Sequence, residues 1–312
     1  MAFILIRKIA ELLCYLVMGF LLVRLHVLRK EDTTVITKLS VNLIMPFSIL
    51  AAFLVPYSTE VMKGIEVAFL AYALIKAVVL PASSLYGKLT GGSAVEVTSI
   101  GYSNVGNLVL PIVGSVLGQE WMVYVAGAII VNNALFWMHG IAYFSGERKF
   151  NAKKYFLNMN ILCIMVGFLL FTLRISLPDI VQTAVKSVGN MIGPVSMLIT
   201  GMILGGMTFR EVFANKRIFP VTGMRMIVMP FLAILVLRLT RLDRLLSNGE
   251  TILLIVLLSE LTPPANVVNQ NAVLYGKEPE YASAIQVFST LVSIVTMPLM
   301  VWVFQTLMEM PH

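Results

Sequence analysis

Apolar residues run in long stretches along this chain, and nearly all the charge collects in the short segments between them. A membrane-crossing helix needs roughly 20 mostly apolar residues. Ten stretches meet that need, at about 4–25, 34–55, 64–86, 93–117, 121–145, 156–175, 180–207, 217–237, 250–275 and 281–307. No connection between them is long enough to separate two soluble domains. The first stretch carries Arg7, Lys8 and Glu11, then continues past any small-residue cleavage pattern into Leu22 and Val23. It therefore reads as a retained helix and not as a cleaved signal.

Composition agrees. Hydrophobic residues make up 58% of the 312, charged residues 12%, and the mean hydropathy is +0.89. A soluble domain carries about twice that charge fraction, so the apolar surplus calls for a lipid-facing surface. The net charge of +7 sits in loops between apolar runs, which fits anionic lipid and excludes nucleic acid as a partner. Cys14 and Cys163 lie in apolar runs without flanking ligands, so they read as small packing residues, with no metal and no cofactor expected. The methionines, scattered through apolar runs, read as adaptable packing.

The basic residues also set an orientation. The loops after helices 1, 3, 5, 7 and 9 hold 13 Lys and Arg, including Arg29, Lys30, Arg148, Lys149, Lys153, Lys154, Arg210, Lys216 and Arg217. The opposite face holds 8, among them Arg238, Arg241 and Arg244; Lys76 and Arg225, within helices, are not counted. The richer face is cytoplasmic by the positive-inside rule. The expectation is a multi-pass protein of the cell (plasma or inner) membrane with both termini outside the cytoplasm.

The chain also matches itself. Gly19-Phe-Leu-Leu22 returns as Gly167-Phe-Leu-Leu170, an offset of 148. At the same offset, the segment from Asn42 through Pro46 and Ser48 to Leu50 returns as Asn190 through Pro194 and Ser196 to Leu198, with five of nine positions identical. Lys76 through Pro81 matches Arg225 through Pro230 at offset 149, and Ala126–Val131 matches Ala282–Val287 at offset 156. Four matches in order predict two five-helix repeats, residues 1–147 and 148–312. Five is odd, so the second copy enters the membrane from the other side. Inverted repeats of this kind build secondary transporters, with substrate bound near the midplane.

Two helices carry breakers near their middle. Helix 4 contains Ser103, Asn104, Gly106, Asn107 and Pro111; helix 9 contains Ser259, Glu260, Thr262, Pro263, Pro264, Asn266, Asn269, Gln270 and Asn271. Proline removes an amide hydrogen and clashes with the preceding turn, so a break is expected at Pro263-Pro264. Broken backbone at membrane depth survives only against protein or a wet cavity. The N-terminal ends of half-helices carry partial positive charge and suit anions, and Asn can hydrogen-bond a carboxylate without burying a charge. A pair of plain kinks with structural Asn side chains is the competing reading.

Lys76 and Arg225 lie mid-helix, each five residues before a proline. A cation at the bilayer centre costs roughly 2.5–3.5 kcal/mol, so each is expected to face a polar interior. Either they attract an anionic substrate, or they form structural ion pairs with Glu96 or Glu260. Glu260 is in turn either a proton-titrating coupling group or the partner of a buried cation. One of Asn132 and Asn133 is expected to face the site. His139, late in helix 5, reads as a boundary residue.

The run from Ser103 to Pro111, the early Gly19-Phe-Leu-Leu followed by Asn42 and Pro46, and the late Tyr275-Gly276, Ser289-Thr290-Leu291 and Pro298 together resemble the auxin efflux carrier family. Its bacterial members are described as malate, malonate or related permeases. The resemblance spans essentially the whole chain. It implies an all-α membrane protein with ten transmembrane helices in two inverted five-helix repeats, helices 4 and 9 crossing at their breaks. The substrate carboxylate would bind at that crossing, near Asn104 to Pro111 and Thr262 to Asn266, with Lys76 beside it. Many plant members have a long central loop. Here the connection near 146–157 is short and basic, which points away from auxin and toward a bacterial carboxylate carrier.

The reading is therefore a secondary active carrier for small organic anions, mono- or dicarboxylates, working by alternating access. Asn104, Gly106, Asn107, Pro111, Thr262, Pro263, Pro264 and Asn266 would form the site, with Ser48 and Asn132 or Asn133 lining it. Lys76, Arg225, Glu260 and Glu96 would supply electrostatics or coupling, a proton or sodium ion being the candidate driving ion. Helices 1, 2, 6 and 7 would form one bundle, a scaffold suited to a homodimer, and helices 3–5 and 8–10 another. A membrane-embedded metabolite sensor is the alternative. An enzyme is not expected, because the segments lack a clustered nucleophile and base.

Overall fold

Proline placement shapes the helices from the start. The computed structural model of the chain describes residues 2–29, 31–146, 159–208, 210, 213 and 215–309. Lys30, Arg148, Lys149, Lys153 and Lys154, which enter the topology count, lie outside the described residues, as does the expected repeat junction at 147/148. The described residues form the helices α1 (Ala2–Arg24), α2 (Asp32–Ala52), α3 (Thr59–Thr90), α4 (Ala94–Gly101), α5 (Val105–Val116) and α6 (Gln119–Ser145). The second half of the chain forms α7 (Met159–Thr172), α8 (Asp179–Gly205), α9 (Ile218–Thr240), α10 (Gly249–Leu261), α11 (Asn266–Leu274) and α12 (Pro279–Glu309). Among the described residues there is no β-strand beyond one isolated bridge. Among the described residues six helices, α2, α3, α6, α8, α9 and α12, are long and apolar enough to cross a membrane.

Wide, π-type turns occupy Ser40–Ile44 in α2, Val105–Val109 in α5 and Met224–Val228 in α9. Each ends just before Pro46, Pro111 or Pro230. A proline cannot donate to the carbonyl four residues back and its ring crowds that carbonyl; a wide turn there lets the helix continue. In α8 a turn at Asn190–Met191 does the same ahead of Pro194.

The chain leaves helix completely at two places. Residues 102–104 separate α4 from α5, and residues 262–265 separate α10 from α11. The second break falls where Pro263-Pro264 predicts it. The first lies upstream of Pro111, which sits near the start of the α-turns of α5. Pro111 thus follows the break and does not make it: so near a helix start, few amides have partners to lose.

The chain divides into two compact units, and each draws on both halves of the sequence. The first comprises residues 1–62, 106–126 and 152–208. It contains α1, α2, α7 and α8, the four helices expected in one bundle, and also residues 106–126, expected in the other. Its main contact is α1 against the second part of α8. A Cβ on Gly201 would collide with the Leu16 carbonyl, and one on Gly19 with the Leu198 carbonyl. Gly201 and Gly205 thus let the two backbones touch, a close approach that membrane helices commonly make through small residues four apart. The Arg24 guanidinium caps the contact by donating to the Met207 carbonyl at 3.1 Å.

The second unit comprises residues 63–105, 127–151 and 209–312. Its centre is unusual for a helical protein because its two interrupted helices are buried on every face. Val95 to Gly101 of α4 and Ile252 to Leu261 of α10 are all buried. A helix buried on every face belongs in a core, and beside their polar first turns both carry polar residues toward the break, Thr98 and Ser99 in α4 and Ser259 and Glu260 in α10.

The glycine contact gives a direct test. Gly201→Leu forces α1 and α8 apart and should cost about 1–3 kcal/mol, the usual penalty of overpacking. Gly223→Ala, in α9 with open space around it, should leave stability unchanged or raise it by up to about 1 kcal/mol. Thermal unfolding of both variants measures the difference; equal melting temperatures would contradict the packing described.

Candidate functional site

Interrupting two buried helices exposes backbone groups that water cannot reach. The extended segments satisfy part of this themselves. They run antiparallel, with Ser103 opposite Pro264. Asn104 N–H donates to the Pro263 carbonyl and Ala265 N–H to the Tyr102 carbonyl, both at 3.0 Å. The prolines do not weaken this pairing, since each supplies only an acceptor or a spacer.

What remains is the set of carbonyls at the C-terminal ends of α4 and α10. Two buried cations take them. The Lys76 ammonium, from α3, donates to Gly101 O at 2.8 Å, Ser103 Oγ at 3.2 Å and Glu260 Oε2 at 2.8 Å. The Arg225 guanidinium, from α9, donates through Nη1 to Glu260 Oε1 at 2.6 Å and Ile100 O at 3.1 Å. Its Nη2 donates to Ser103 Oγ at 2.8 Å and to the Glu260 and Thr262 carbonyls at 2.7 Å, and its Nε to Thr262 O at 3.1 Å. Lys76, Arg225 and Glu260 side chains are completely buried.

The donors of both cations are accounted for within the protein. Lysine has three N–H donors and arginine five, and all eight point at protein oxygens. Neither cation has a donor left for a substrate. Glu260 supplies one negative charge against two positive ones. Each helix C-terminus contributes roughly half a negative charge, so the two ends make up the balance. The cluster is a structural clamp on both interruptions, with Ser103 at its hub. The Ser103 hydroxyl donates to Glu260 Oε2 at 3.0 Å and accepts from both cations, which fills its valences. The Tyr72 hydroxyl then donates to Asn132 Oδ1 at 3.3 Å, and Asn132 Nδ2 to the Ser103 carbonyl at 3.2 Å.

The two carboxylates proposed as partners of these cations separate here. Glu260 takes both cations. Glu96 lies at the other end of α4, where it forms a capping box with Ser93 and pairs with Arg217 at 3.1 Å and the Tyr281 hydroxyl at 3.0 Å. The reason is spacing: Glu96 is the third residue of its helix, several residues from the break.

On the other side of the crossing lie carboxamides. Asn104 Nδ2 donates to Asn266 Oδ1 at 3.3 Å. Gln286 Nε2, from α12, donates to the same Asn266 oxygen, and Asn269 Nδ2 donates to Gln286 Oε1. This ladder sits at the first turn of α11, the positive end of that half-helix.

Of the residues expected at a site, the second unit brings together Asn104, Thr262, Pro263, Pro264, Asn266, Asn132, Lys76, Arg225 and Glu260. Thr262 contributes its carbonyl to Arg225, and its own hydroxyl donates to Ser259 O at 3.4 Å. Asn133 is half-buried in α6. Gly106, Asn107, Pro111 and Ser48 belong to the first unit, where Gly106 lies against the Met45 thioether and Ser48 is buried next to Gly189. Gln286 is a member of the ladder not named from sequence, and Ser103 is named there as part of the helix 4 break but not as a site residue. Gln286 had a signal: in the self-match of 126–131 with 282–287 it stands where the first copy has Ile130.

Removing the carboxylate tests the clamp. Glu260→Gln leaves two buried cations with one charge partner fewer and should cost about 3–5 kcal/mol. The double variant Lys76→Met/Glu260→Gln, which removes one orphaned cation, should melt higher than Glu260→Gln alone. A double lower by the sum of the two single losses would mean that the charges do not interact.

Comparison with known proteins follows the same direction. No curated protein matches the chain. A family model described as membrane transport protein matches residues 4–154 and 147–301. With its several apolar spans, this is a multi-pass membrane protein, and the chain belongs to the membrane transport protein family, the family of the auxin efflux carriers.

Proposed function

We propose that this chain is a secondary active carrier of small organic anions, mono- or dicarboxylates such as malate or malonate, working by alternating access in the cell membrane. Ten crossings in two inverted five-helix repeats, with α4–α5 and α10–α11 as the interrupted pair, fit the element order. The observation that carries the anion reading is the polarity of the crossing. Its C-terminal ends are closed by Lys76 and Arg225, while the first turn of α11 carries a ladder of amides.

Asn266 Oδ1 accepts from both Asn104 and Gln286, so the Asn266 amide nitrogen faces away from the ladder as a donor. A carboxylate held there gains charge-assisted hydrogen bonds without meeting a buried cation of its own. Such bonds suit a carrier, which must release its cargo as readily as it binds it.

A sensor needs the same pocket but no turnover, so transport itself separates the two readings. In proteoliposomes, labelled malonate or malate should accumulate with the intact protein. Asn266→Ala should reduce uptake by about ten- to a hundredfold, the loss of one hydrogen bond to a charge. Gln286→Glu should reduce it by at least about a hundredfold, because a carboxylate at that position both repels the substrate and turns the Asn266 amide around. Binding without uptake by the intact protein would favour the sensor. Full uptake by Gln286→Glu would remove the crossing as the site.

A further inference from the structure

A second polar cluster lies away from the clamp. A cavity of about 860 Å³ opens between the last turns of α3, the start of α4 and the end of α6. Ser84, Lys88, His139 and Tyr143 line it together with Leu135 and Met138. Met138 on its lining is an exposed large apolar side chain, so its rim reaches the apolar outer surface. Three cations stand near it among the described residues. Lys88 is exposed on the lining, the Lys277 ammonium donates to the Tyr143 carbonyl at 3.0 Å, and Arg217 donates to the Thr90 carbonyl at 2.9 Å. The nearby carboxylate, Glu96, is already paired with Arg217.

The hydrogen bonds inside are arranged to present a donor. The Tyr143 hydroxyl donates to Ser84 Oγ at 2.9 Å, Ser84 to the Leu80 carbonyl at 2.8 Å, and the Tyr102 hydroxyl to the Leu135 carbonyl at 3.0 Å. With those protons committed, both His139 nitrogens face oxygen lone pairs: Nδ1 lies 2.9 Å from the Tyr102 oxygen and Nε2 3.5 Å from Ser84 Oγ. The imidazolium form has an N–H for each, and it is in that form that the ring donates to an anion. The short contact fixes the ring. The 3.5 Å one is at the limit of a hydrogen bond, and an anionic oxygen entering the cavity replaces it.

We propose that this cavity binds the phosphate of an anionic phospholipid, with Lys88 and His139 as its donors and Leu135 and Met138 under the acyl chain. Basic pockets between membrane helices on the positive face hold such headgroups, and the charge count puts these loops on that face. The bound phosphate touches His139, which bears on Tyr102, the residue whose carbonyl receives Ala265 at the crossing. The lipid is therefore one side chain away from the interrupted helices.

Detergent-solubilised full-length protein tests this with three probes: phosphatidylglycerol, phosphatidylcholine with the same chains, and inorganic phosphate. Phosphatidylglycerol should raise the melting temperature and phosphatidylcholine should not, since a ligand of the folded state stabilises it by mass action. Lys88→Gln and His139→Gln should each weaken the phosphatidylglycerol titration about fivefold, and Arg244→Gln, an exposed cation elsewhere, should leave it unchanged. Lys88 is exposed, so its variant keeps the fold and reads binding alone. A shift with inorganic phosphate and none with phosphatidylglycerol would overturn the lipid in favour of a soluble phosphate. Equal shifts with both lipids, or a titration indifferent to Lys88 and His139, would overturn the site.

Discussion

The second unit depends on one carboxylate. Glu260 holds Lys76 and Arg225 at once, and those two cations hold the C-terminal carbonyls of α4 and α10. Without such a clamp, two helices broken in a core would leave several acceptors dry, each costing kilocalories. A helix that simply ran through would avoid the problem. That the chain carries three buried charges to keep two helices broken means the break itself is what the structure maintains.

The clamp also decides which parts of the crossing are open to a ligand. A buried Lys and a buried Arg in a chain proposed to carry anions invite the reading that they bind the anion. Their donors are spent on Glu260, Ser103 and backbone carbonyls, so attraction of an anion falls to the opposite ends of the broken pair. There the chain offers neutral amides from Asn104, Asn266 and Gln286. The separation is one of helix polarity: positive side chains close the negative ends, and the positive end of α11 stays clothed in groups that can donate without charge.

Much of this was legible in the sequence, and the legible parts share a cause. Lys76 and Arg225 stand out because a cation in an apolar run is expensive, and Pro263-Pro264 because two prolines cannot continue a helix. The partner of the cations was not legible. Glu96 and Glu260 both lie in interrupted helices, and only the three-dimensional packing brings one to the break and ties the other to Ser93 and Arg217. Pro111 does not mark the first break, since a proline near a helix start is tolerated. Gln286 was harder to pick out because an isolated amide in a 31-residue helix has no periodicity and shows only against its counterpart in the self-match. The grouping of α1, α2, α7 and α8 in one unit matches the expected bundle, but residues 106–126 join it, because the break at Tyr102–Asn104 frees α5 from α4.

The most direct measurement is a high-resolution map of the protein with malonate bound. The account predicts density within hydrogen-bond reach of the Asn104 and Asn266 side chains, with Lys76 and Arg225 still on Glu260. Malonate lying on Lys76 or Arg225, with Glu260 displaced from them, would contradict it.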